Sequence, residues 1–292
     1  MLFKKKISAV HVPHCKSTQD MHSVRIAPPD SVTIPMSMHS GVPAVPVVQK
    51  GDHVYIGQLI AKEGEGRVSS PIHASVSGTV SEVSEKSISI KSDGKMEKDP
   101  EMKAPKLETL DDFLDGCRKS GIVGLGGAAY PHCTADNRTM VEDADHIKSG
   151  IEILKKFVGA KEYIIGIEAN KPEAISHLTE VFKDDSSVEV KTLESVYPQG
   201  AKQVLLWNAT GKVVAAGQRL ASLGVIITNV TTLAKMALYF ETGMPLVDKC
   251  VSVDGSAVKN PSNIIVPIGT SFGYCLEACG GFKEEPRKVI EG

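Results

Sequence analysis

The spacing of hydrophobic positions changes near residue 107 of this 292-residue chain. Between residues 31 and 95 the apolar positions form short β-rich runs that glycines and polar residues separate. Such runs predict the strands of a small β domain. The proline-containing residues 1–30 predict an irregular N-terminal extension, and the polar residues 96–106 predict a linker.

From residue 107 onward the apolar positions recur at helical spacing and then alternate between strand and helix patterns. Thr109 precedes Asp111 and Asp112, which is typical of a capped helix start, and Gly121 is expected to end that helix. The alternation that follows predicts a parallel sheet with helices on its faces. Further helices are predicted at residues 138–159, 172–182, 201–209 and 231–240, and strands at residues 162–167, 188–193 and 224–228.

The last part of the chain, residues 246–292, predicts a small α+β unit. Its pattern indicates strands at residues 247–253 and 263–267 and a short helix at residues 270–279. Another strand is expected to start at residue 288. Because that pattern breaks off at Gly292, we expect this unit to be truncated.

The composition excludes several classes of function. Hydrophobic residues make up 41% of the chain and charged residues 23%, as in ordinary globular proteins. A net charge of -2 and an aromatic content of 5% argue against nucleic-acid binding. Six scattered cysteines, no signal peptide and no long apolar run predict a cytoplasmic protein with reduced thiols.

Two groups of candidate metal ligands are interpreted as structural. His11, His14 and Cys15 lie close together, but their spacing is not that of a usual zinc site. Cys275 and Cys279 share one face of a predicted helix without a second cysteine pair nearby. No metal site is therefore predicted, and no residue is assigned a catalytic role.

A glycine-rich turn at residues 121–131 is the most distinctive stretch of the chain. Gly124, Gly126 and Gly127 leave the backbone bare, which lets a flat or anionic ligand approach closely. Farther along, Asn229 and Thr231 follow a predicted strand and open a helix, where free backbone N–H groups suit a phosphate. These features predict a ligand pocket at the carboxyl ends of the strands.

The β-rich region resembles the barrel-sandwich hybrid of biotinyl and lipoyl domains. The resemblance rests on residues 50–61 and 77–80. The stretch of residues 62–70 lacks the Met-Lys-Met hairpin of those domains, so we expect a scaffold rather than a swinging arm on Lys62.

Taken together, the order of these modules resembles the RnfC family and, more distantly, the flavin subunit of respiratory complex I. The resemblance implies an α/β multidomain protein with a barrel-sandwich hybrid domain (31–95), a Rossmann-like FMN-binding domain (107–245) and a β-grasp, soluble-ligand-binding domain (246–292). Its carriers are the glycine turn, Thr134–Arg138, Tyr197–Ala201 with Thr210 and Gly211, Thr228–Val230 and Val253–Pro261.

The family resemblance also implies FMN and often a nicotinamide dinucleotide. The glycine turn would lie under the isoalloxazine, and Asn229 with Thr231 would hold the phosphate. Hydride transfer would belong to the flavin, with the protein supplying orientation and electrostatics. The implied cofactor-binding residues are Gly124, Gly126, Gly127, Ala128, Asp136, Asn229 and Thr231.

Three departures from the family pattern change these expectations. Family members carry some tens of residues between the glycine turn and Thr134; here Pro131 is followed at once by His132. Either that segment is deleted or the chain as given omits it, and the second is favoured because every later element is expected to be intact. Lys202 stands where relatives tend to carry an acid, which puts NAD use in doubt. The opening, residues 8–13, indicates a paralogue.

The leading hypothesis is an NADH-linked oxidoreductase component that passes electrons through FMN to iron–sulfur centres. Paired four-cysteine motifs are absent from this sequence, so such clusters are expected only in a missing C-terminal region. Partners would be other subunits of an electron-transfer complex, reached by peripheral docking at the inner face of the cell membrane. The alternatives are a non-catalytic docking subunit and a paralogue serving cobalamin or proline reductase.

Overall fold

A computed structural model of the protein describes residues 16–66, 68–125, 134–215 and 217–291. These residues form helices and four separate sheets, so the mixed α and β composition is confirmed. Among them, no helix combines the length and apolar character that crossing a bilayer requires.

The first β-rich region forms two antiparallel sheets around one core. Val32, Ile34 and Ile90 contribute to this core from one sheet, and Ile60 and Ile72 contribute from the other. One sheet has the order β2-β8-β7-β4 and the other β3-β5-β6. The strands are β1 Ser23–Arg25, β2 Ser31–Pro35, β3 Val45–Pro46, β4 His53–Val54, β5 Leu59–Lys62, β6 Ile72–His73, β7 Gly78–Val83 and β8 Ser87–Ser92.

The first residues of the expected linker are attached to this β region. The N–H of Ile56 donates to the carbonyl of Glu97, and the N–H of Asp99 donates to the carbonyl of Ile56, both at 2.9 Å. Met96 packs against the β core. The free part of the connection therefore begins after residue 99.

The middle region alternates helices with a two-stranded parallel sheet. In this sheet Val188 lies opposite Tyr163 and Leu193 opposite Glu168. Buried aliphatic side chains from the helices and both strands share one core. The elements are α1 Leu110–Lys119, α2 Thr134–Glu142, α3 Ala144–Phe157, β9 Tyr163–Glu168, α4 Pro172–Val181, β10 Val188–Leu193, α5 Lys202–Thr210 and α6 Val230–Thr242.

Helix α1 begins where its sequence predicts. The Thr109 hydroxyl accepts from the N–H of Asp112, and the Asp112 carboxylate accepts from the N–H of Thr109. This capping box satisfies two N–H groups that helix geometry leaves unpaired. Gly116 then faces the ring of Phe240, where a Cβ atom would lie only 2.3 Å from the ring.

The expected single helix over residues 138–159 is wrong in its boundaries. The structure has two helices, α2 starting at Thr134 and α3 ending at Phe157, with Asp143 between them. Asp143 adopts φ -131° and ψ 29°, outside the helical range, and its carboxylate bonds to the imidazole of His146. A short polar side chain that finds a local partner competes with the helical backbone and favours such a break.

The expected strand at residues 224–228 is also wrong. These residues follow a 3₁₀ turn at Leu220–Leu223 and form no strand, and Ile226 is 72% exposed. A strand exists only by pairing its backbone groups, and no described strand pairs with this segment. The expectation that every later element is intact therefore fails at the sheet itself.

The C-terminal unit includes a strand from the other end of the chain. Strands β11 Asp248–Val253 and β12 Ser262–Pro267 pair antiparallel, and helix α7 Phe272–Ala278 follows. Strand β1 pairs parallel with β12, so residues 1–30 are not irregular throughout. The strand expected from residue 288 is absent from the described structure, where Val289 and Ile290 are exposed.

Candidate functional site

The N-terminus of α6 is built around the side chain of Asn229. Its Oδ1 accepts hydrogen bonds from the N–H groups of Thr231 at 2.9 Å and Thr232 at 3.2 Å. An asparagine at this position satisfies two of the N–H groups that a helix start leaves unpaired. The N–H of Val230, the first helical residue, has no acceptor among the described residues.

Asp136 of α2 joins this helix start. Its two carboxylate oxygens accept from Asn229 Nδ2 at 2.8 Å and from the Thr231 hydroxyl at 2.6 Å. One turn later, the hydroxyls of Thr139 and Thr231 lie 3.0 Å apart. Three residues that the sequence singled out are thus brought together by the packing of α2 on α6. We call Asp136, Asn229 and Thr231 the α6 cluster.

The described end of the glycine turn contacts the same helix start. The N–H of Leu125 donates to the Thr232 hydroxyl at 3.0 Å. A Cβ atom on Gly124 would meet no described atom within 4 Å, whereas Gly121 has φ +66° and its Cβ would crowd His73. The fold therefore demands glycine at 121 and leaves open space at 124. Gly126, Gly127 and Ala128 lie outside the described residues.

Helix α2 is fixed by a buried arginine. Arg138 is 1% exposed; its Nε donates to Glu142 Oε1 at 3.0 Å and its Nη1 to Glu173 Oε2 at 3.1 Å. Nη2 has no partner among the described residues. A buried charge of this kind needs its anionic partners, so Arg138 ties α2 to α4. Sequence reasoning included Arg138 only as part of a motif.

The carboxyl end of β9 carries polar residues that sequence reasoning missed. Lys171 Nζ donates to Glu168 Oε2 at 2.5 Å and to Asn170 Oδ1 at 3.2 Å. The N–H of Asn170 donates to Ser195 Oγ at 3.1 Å, which links the ends of the two strands. Their position directly after a predicted strand was the available signal, because ligands of parallel sheets bind at that edge.

A cavity of about 1040 Å³ opens between the first β region and α1. Gly124 lies at its wall, together with His39 and Cys117. Burial raises the pKa of the Cys117 thiol to about 11, so the thiolate is disfavoured and Cys117 is not suited to nucleophilic attack. Neither ring nitrogen of His39 has a hydrogen-bond partner among the described residues.

The candidate metal ligands divide between two parts of the chain. His11, His14 and Cys15 lie outside the described residues. Cys275 and Cys279 pack in the core with Ile264, and burial raises the pKa of each thiol. Within the described ranges, no group of three or more histidines, cysteines or carboxylates is arranged to hold a metal ion.

Models of three protein families match the chain in succession. The RnfC barrel sandwich hybrid domain matches residues 5–97, the Nuo51 FMN-binding domain matches residues 130–238 and the SLBB domain matches residues 250–291. The α6 cluster lies inside the FMN-binding match, whereas Gly124 lies before it. The barrel-sandwich hybrid, FMN-binding and SLBB domains are therefore all present.

Curated relatives align with nearly the whole chain. The RnfC-type subunit of the proton-translocating ferredoxin:NAD(+) oxidoreductase complex of Clostridium ljungdahlii is 36% identical over 329 residues, covering 100% of this chain and 72% of that protein. Its counterpart in the Na(+)-translocating complex of Acetobacterium woodii is 38% identical, covering 97% and 72%. The counterpart in the ion-translocating oxidoreductase complex of Rhodobacter capsulatus is 30% identical, covering 90% and 58%.

The first of these alignments also measures a difference in length. It extends over 329 positions, while this chain has 292 residues, so at least 37 positions of the Clostridium ljungdahlii protein face a gap here. The identity over the full chain and the matching domain models lead to one assignment: this chain belongs to the RnfC family.

Proposed function

We propose that this protein is an RnfC-type electron-transfer flavoprotein module that binds FMN at the α6 cluster. The observation that carries the proposal is the hydrogen-bonded contact of Asp136, Asn229 and Thr231 inside the region that the FMN-binding model matches. The relatives are subunits of ferredoxin:NAD(+) oxidoreductase complexes, which makes electron transfer the matching activity.

The residues present fit the polar half of FMN. A helix N-terminus carries a partial positive charge and favours an anion, and Val230 offers an N–H without an acceptor among the described residues. The Asp136 carboxylate accepts hydrogen bonds only, so it suits hydroxyl groups and repels phosphate. We therefore assign the phosphate to Val230 and Thr231, and the ribityl hydroxyls to Asp136 and Asn229.

The open space at Gly124 supports the flat half of the cofactor. No described atom lies within 4 Å of where its Cβ would be, so the protein's own packing does not explain the glycine. A planar ring approaching the backbone does explain it. We retain Gly124, Gly126, Gly127 and Ala128 as the proposed contacts of the isoalloxazine.

When bound, FMN supplies the electron-transfer chemistry, and the chain's residues bind and orient it. Asp136 fixes the orientation of Asn229 and Thr231 through its two accepted hydrogen bonds. Leu125 holds the glycine turn against α6 through the Thr232 hydroxyl. The chain's contribution in this proposal is therefore a preorganised set of donors and acceptors rather than a catalytic acid or base.

We extend the proposal to domain architecture and redox partners. The order β9-α4-β10-α5 supports a Rossmann-like domain over residues 107–245, and the three strands with α7 support a β-grasp domain over residues 246–292. Helix α5 has Lys202 and no acid in its first turn, so NAD binding by this chain stays doubtful. Iron–sulfur centres would lie outside the described residues, and partners would be other subunits of a complex docked peripherally at the cell membrane.

A fluorescence titration of the purified full chain tests the proposal. FMN fluorescence should be quenched with a Kd of about 1 µM or below, and free riboflavin should bind more weakly because it lacks the phosphate. Thr231→Val removes the hydroxyl while keeping the shape of the side chain, and should weaken FMN binding. No quenching at about 100 µM protein would overturn the assignment.

A docking protein without flavin is the second candidate, and a specific observation favours it. The sheet has two strands, residues 224–228 stay unpaired, and the alignment leaves at least 37 positions of a relative without a counterpart. Inserting the relative's extra segment after Pro131 separates the two. FMN binding by the chimera but not by the wild-type chain would support the docking role; equal binding by both would exclude it.

A further inference from the structure

A buried asparagine connects the C-terminal sheet to the region of the α6 cluster. Asn263 of β12 is 0% exposed. Its Nδ2 donates to the carbonyls of Thr18 at 2.7 Å and Met21 at 2.9 Å. Its Oδ1 accepts from Ser252 Oγ at 2.7 Å and from Thr134 Oγ1 at 3.3 Å. Both donors and the acceptor of this side chain are therefore used.

Thr134 receives this contact at the first residue of α2. Its side chain is buried, and its hydroxyl also bonds to Ser252 and lies 3.3 Å from the Thr18 hydroxyl. The hydroxyl thus points away from its own helix, into a polar group shared by β11, β12 and the N-terminal segment. The first turn of α2 is fixed by that group.

Asp136 lies two residues farther along the same turn. Any movement of the α2 start changes the distances from its carboxylate to Asn229 and Thr231, which are now 2.8 and 2.6 Å. A continuous series of contacts therefore runs from Asn263 through Thr134 and Asp136 to the start of α6.

A second connection between these regions is more exposed. Asp248 pairs with Arg25 at 2.7 Å and with Lys235 of α6 at 2.5 Å. The Arg25 side chain is 58% exposed, and solvent screens such a pair. Buried hydrogen bonds cost more to break, because the abandoned groups lose water as well as their partner. The Asn263 contacts therefore hold α2 more strictly than the ion pairs do.

We propose that Asn263 is a positioning residue: it fixes the first turn of α2 so that Asp136 reaches Asn229 and Thr231. Through it the SLBB-matched region sets the geometry of the α6 cluster. The effect on FMN affinity rests on the proposed function, whereas the effect on α2 and α6 does not require a ligand.

Amide hydrogen exchange on the full chain without ligand tests the positioning directly. In Asn263→Ala, residues 135–139 and 230–233 should exchange about tenfold faster than in the wild type, because a buried hydrogen-bond network is lost. Residues 78–92 of the first β region should not change. Asn260→Ala, an exposed substitution three residues away, is the matched control and should leave both segments unchanged.

A conservative pair of variants guards against a merely destabilised protein. Thr134→Ser keeps the hydroxyl and should exchange like the wild type, while Thr134→Val keeps the shape without the hydroxyl and should behave like Asn263→Ala. Faster exchange confined to β11 and β12 in Asn263→Ala, or equal behaviour of the Thr134 pair, would overturn the proposal. The Thr134 pair decides it even where Asn263→Ala does not fold.

FMN affinity provides the second measurement. Asn263→Ala and Thr134→Val should each raise the Kd about tenfold, and the double variant should raise it by less than the product, since both remove one contact. An unchanged Kd beside faster exchange would show that the α2 start does not reach the ligand. A wild-type chain that binds no FMN would refute the proposed function, and the exchange data would still decide the role of Asn263.

Discussion

The hydroxyl of Thr231 donates a hydrogen bond of 2.6 Å to the carboxylate of Asp136, although 95 positions separate the two residues. The contact joins the first turn of α2 to the first turn of α6. It turns two helix starts, each ordinary by itself, into one polar surface. The FMN-binding role proposed for this surface yields predictions that separate binding from folding.

Asp136→Asn should weaken FMN binding about tenfold with little loss of stability. The amide keeps the shape of the carboxylate, but one of its two ends becomes a donor facing the donors of Asn229 and Thr231. Fluorescence titration and thermal unfolding measure the two effects. Asp145→Asn, on the exposed side of α3, is the control, and equal affinities of the two variants would contradict a role for Asp136.

Gly121→Ala and Gly124→Ala should have opposite effects. At Gly121, φ is +66° and a Cβ would lie 2.8 Å from the Pro71 carbonyl oxygen, so alanine should lower the free energy of unfolding by about 1–3 kcal/mol. At Gly124 no described atom is near, so the unfolding free energy should change by less than about 0.5 kcal/mol while FMN affinity falls. Chemical denaturation with an FMN titration distinguishes them, and a destabilised Gly124→Ala would count against an open ligand face.

His73 should make the stability depend on pH. Burial lowers the pKa of its imidazole from 6.5 to about 4. Between these values the unfolded chain binds a proton that the folded protein excludes. The stabilisation is therefore complete above pH 6.5 and decreases by up to about 3 kcal/mol as the pH falls toward 4.

Urea unfolding of wild type and His73→Gln across pH 4–7 checks this expectation. The difference in unfolding free energy between the two proteins should shrink as the pH falls through that window. His177→Gln, at an exposed position of α4, controls for loss of a histidine. A constant difference across the range would show that His73 is not buried as a neutral imidazole.

Ile226→Asp should leave the free energy of unfolding within about 0.5 kcal/mol of the wild type. The side chain is 72% exposed because residues 224–228 form no strand. Ile167→Asp, at a 2% exposed position of β9, should by contrast cost more than about 3 kcal/mol. Similar large losses in both variants would mean that residues 224–228 are a buried strand after all.

Elements whose cause is local could be predicted from the sequence. Strand β10 has the predicted boundaries, and α1 starts at its Thr109–Asp112 capping box, because neighbours along the chain supply the determining contacts. Pro172 begins α4 as expected. The family and its domains were also recognisable from motif order, and the comparisons confirm them.

Elements that depend on a distant partner could not be predicted. Residues 23–25 become a strand only because β12 lies beside them, and residues 224–228 do not become one because no described strand pairs with them. Periodicity reports which side chains prefer burial, and it does not report which backbone has a pairing partner.

The sequence by itself determined the order of domains, most helix and strand positions and the residues suspected of holding a cofactor. Only the tertiary structure decided that Asp136 reaches Asn229 and Thr231, that Asn263 anchors the start of α2, and that Gly121 and Gly124 differ in their surroundings. The reason is that hydrogen bonds and open space depend on distances between elements, which packing sets and local spacing does not encode.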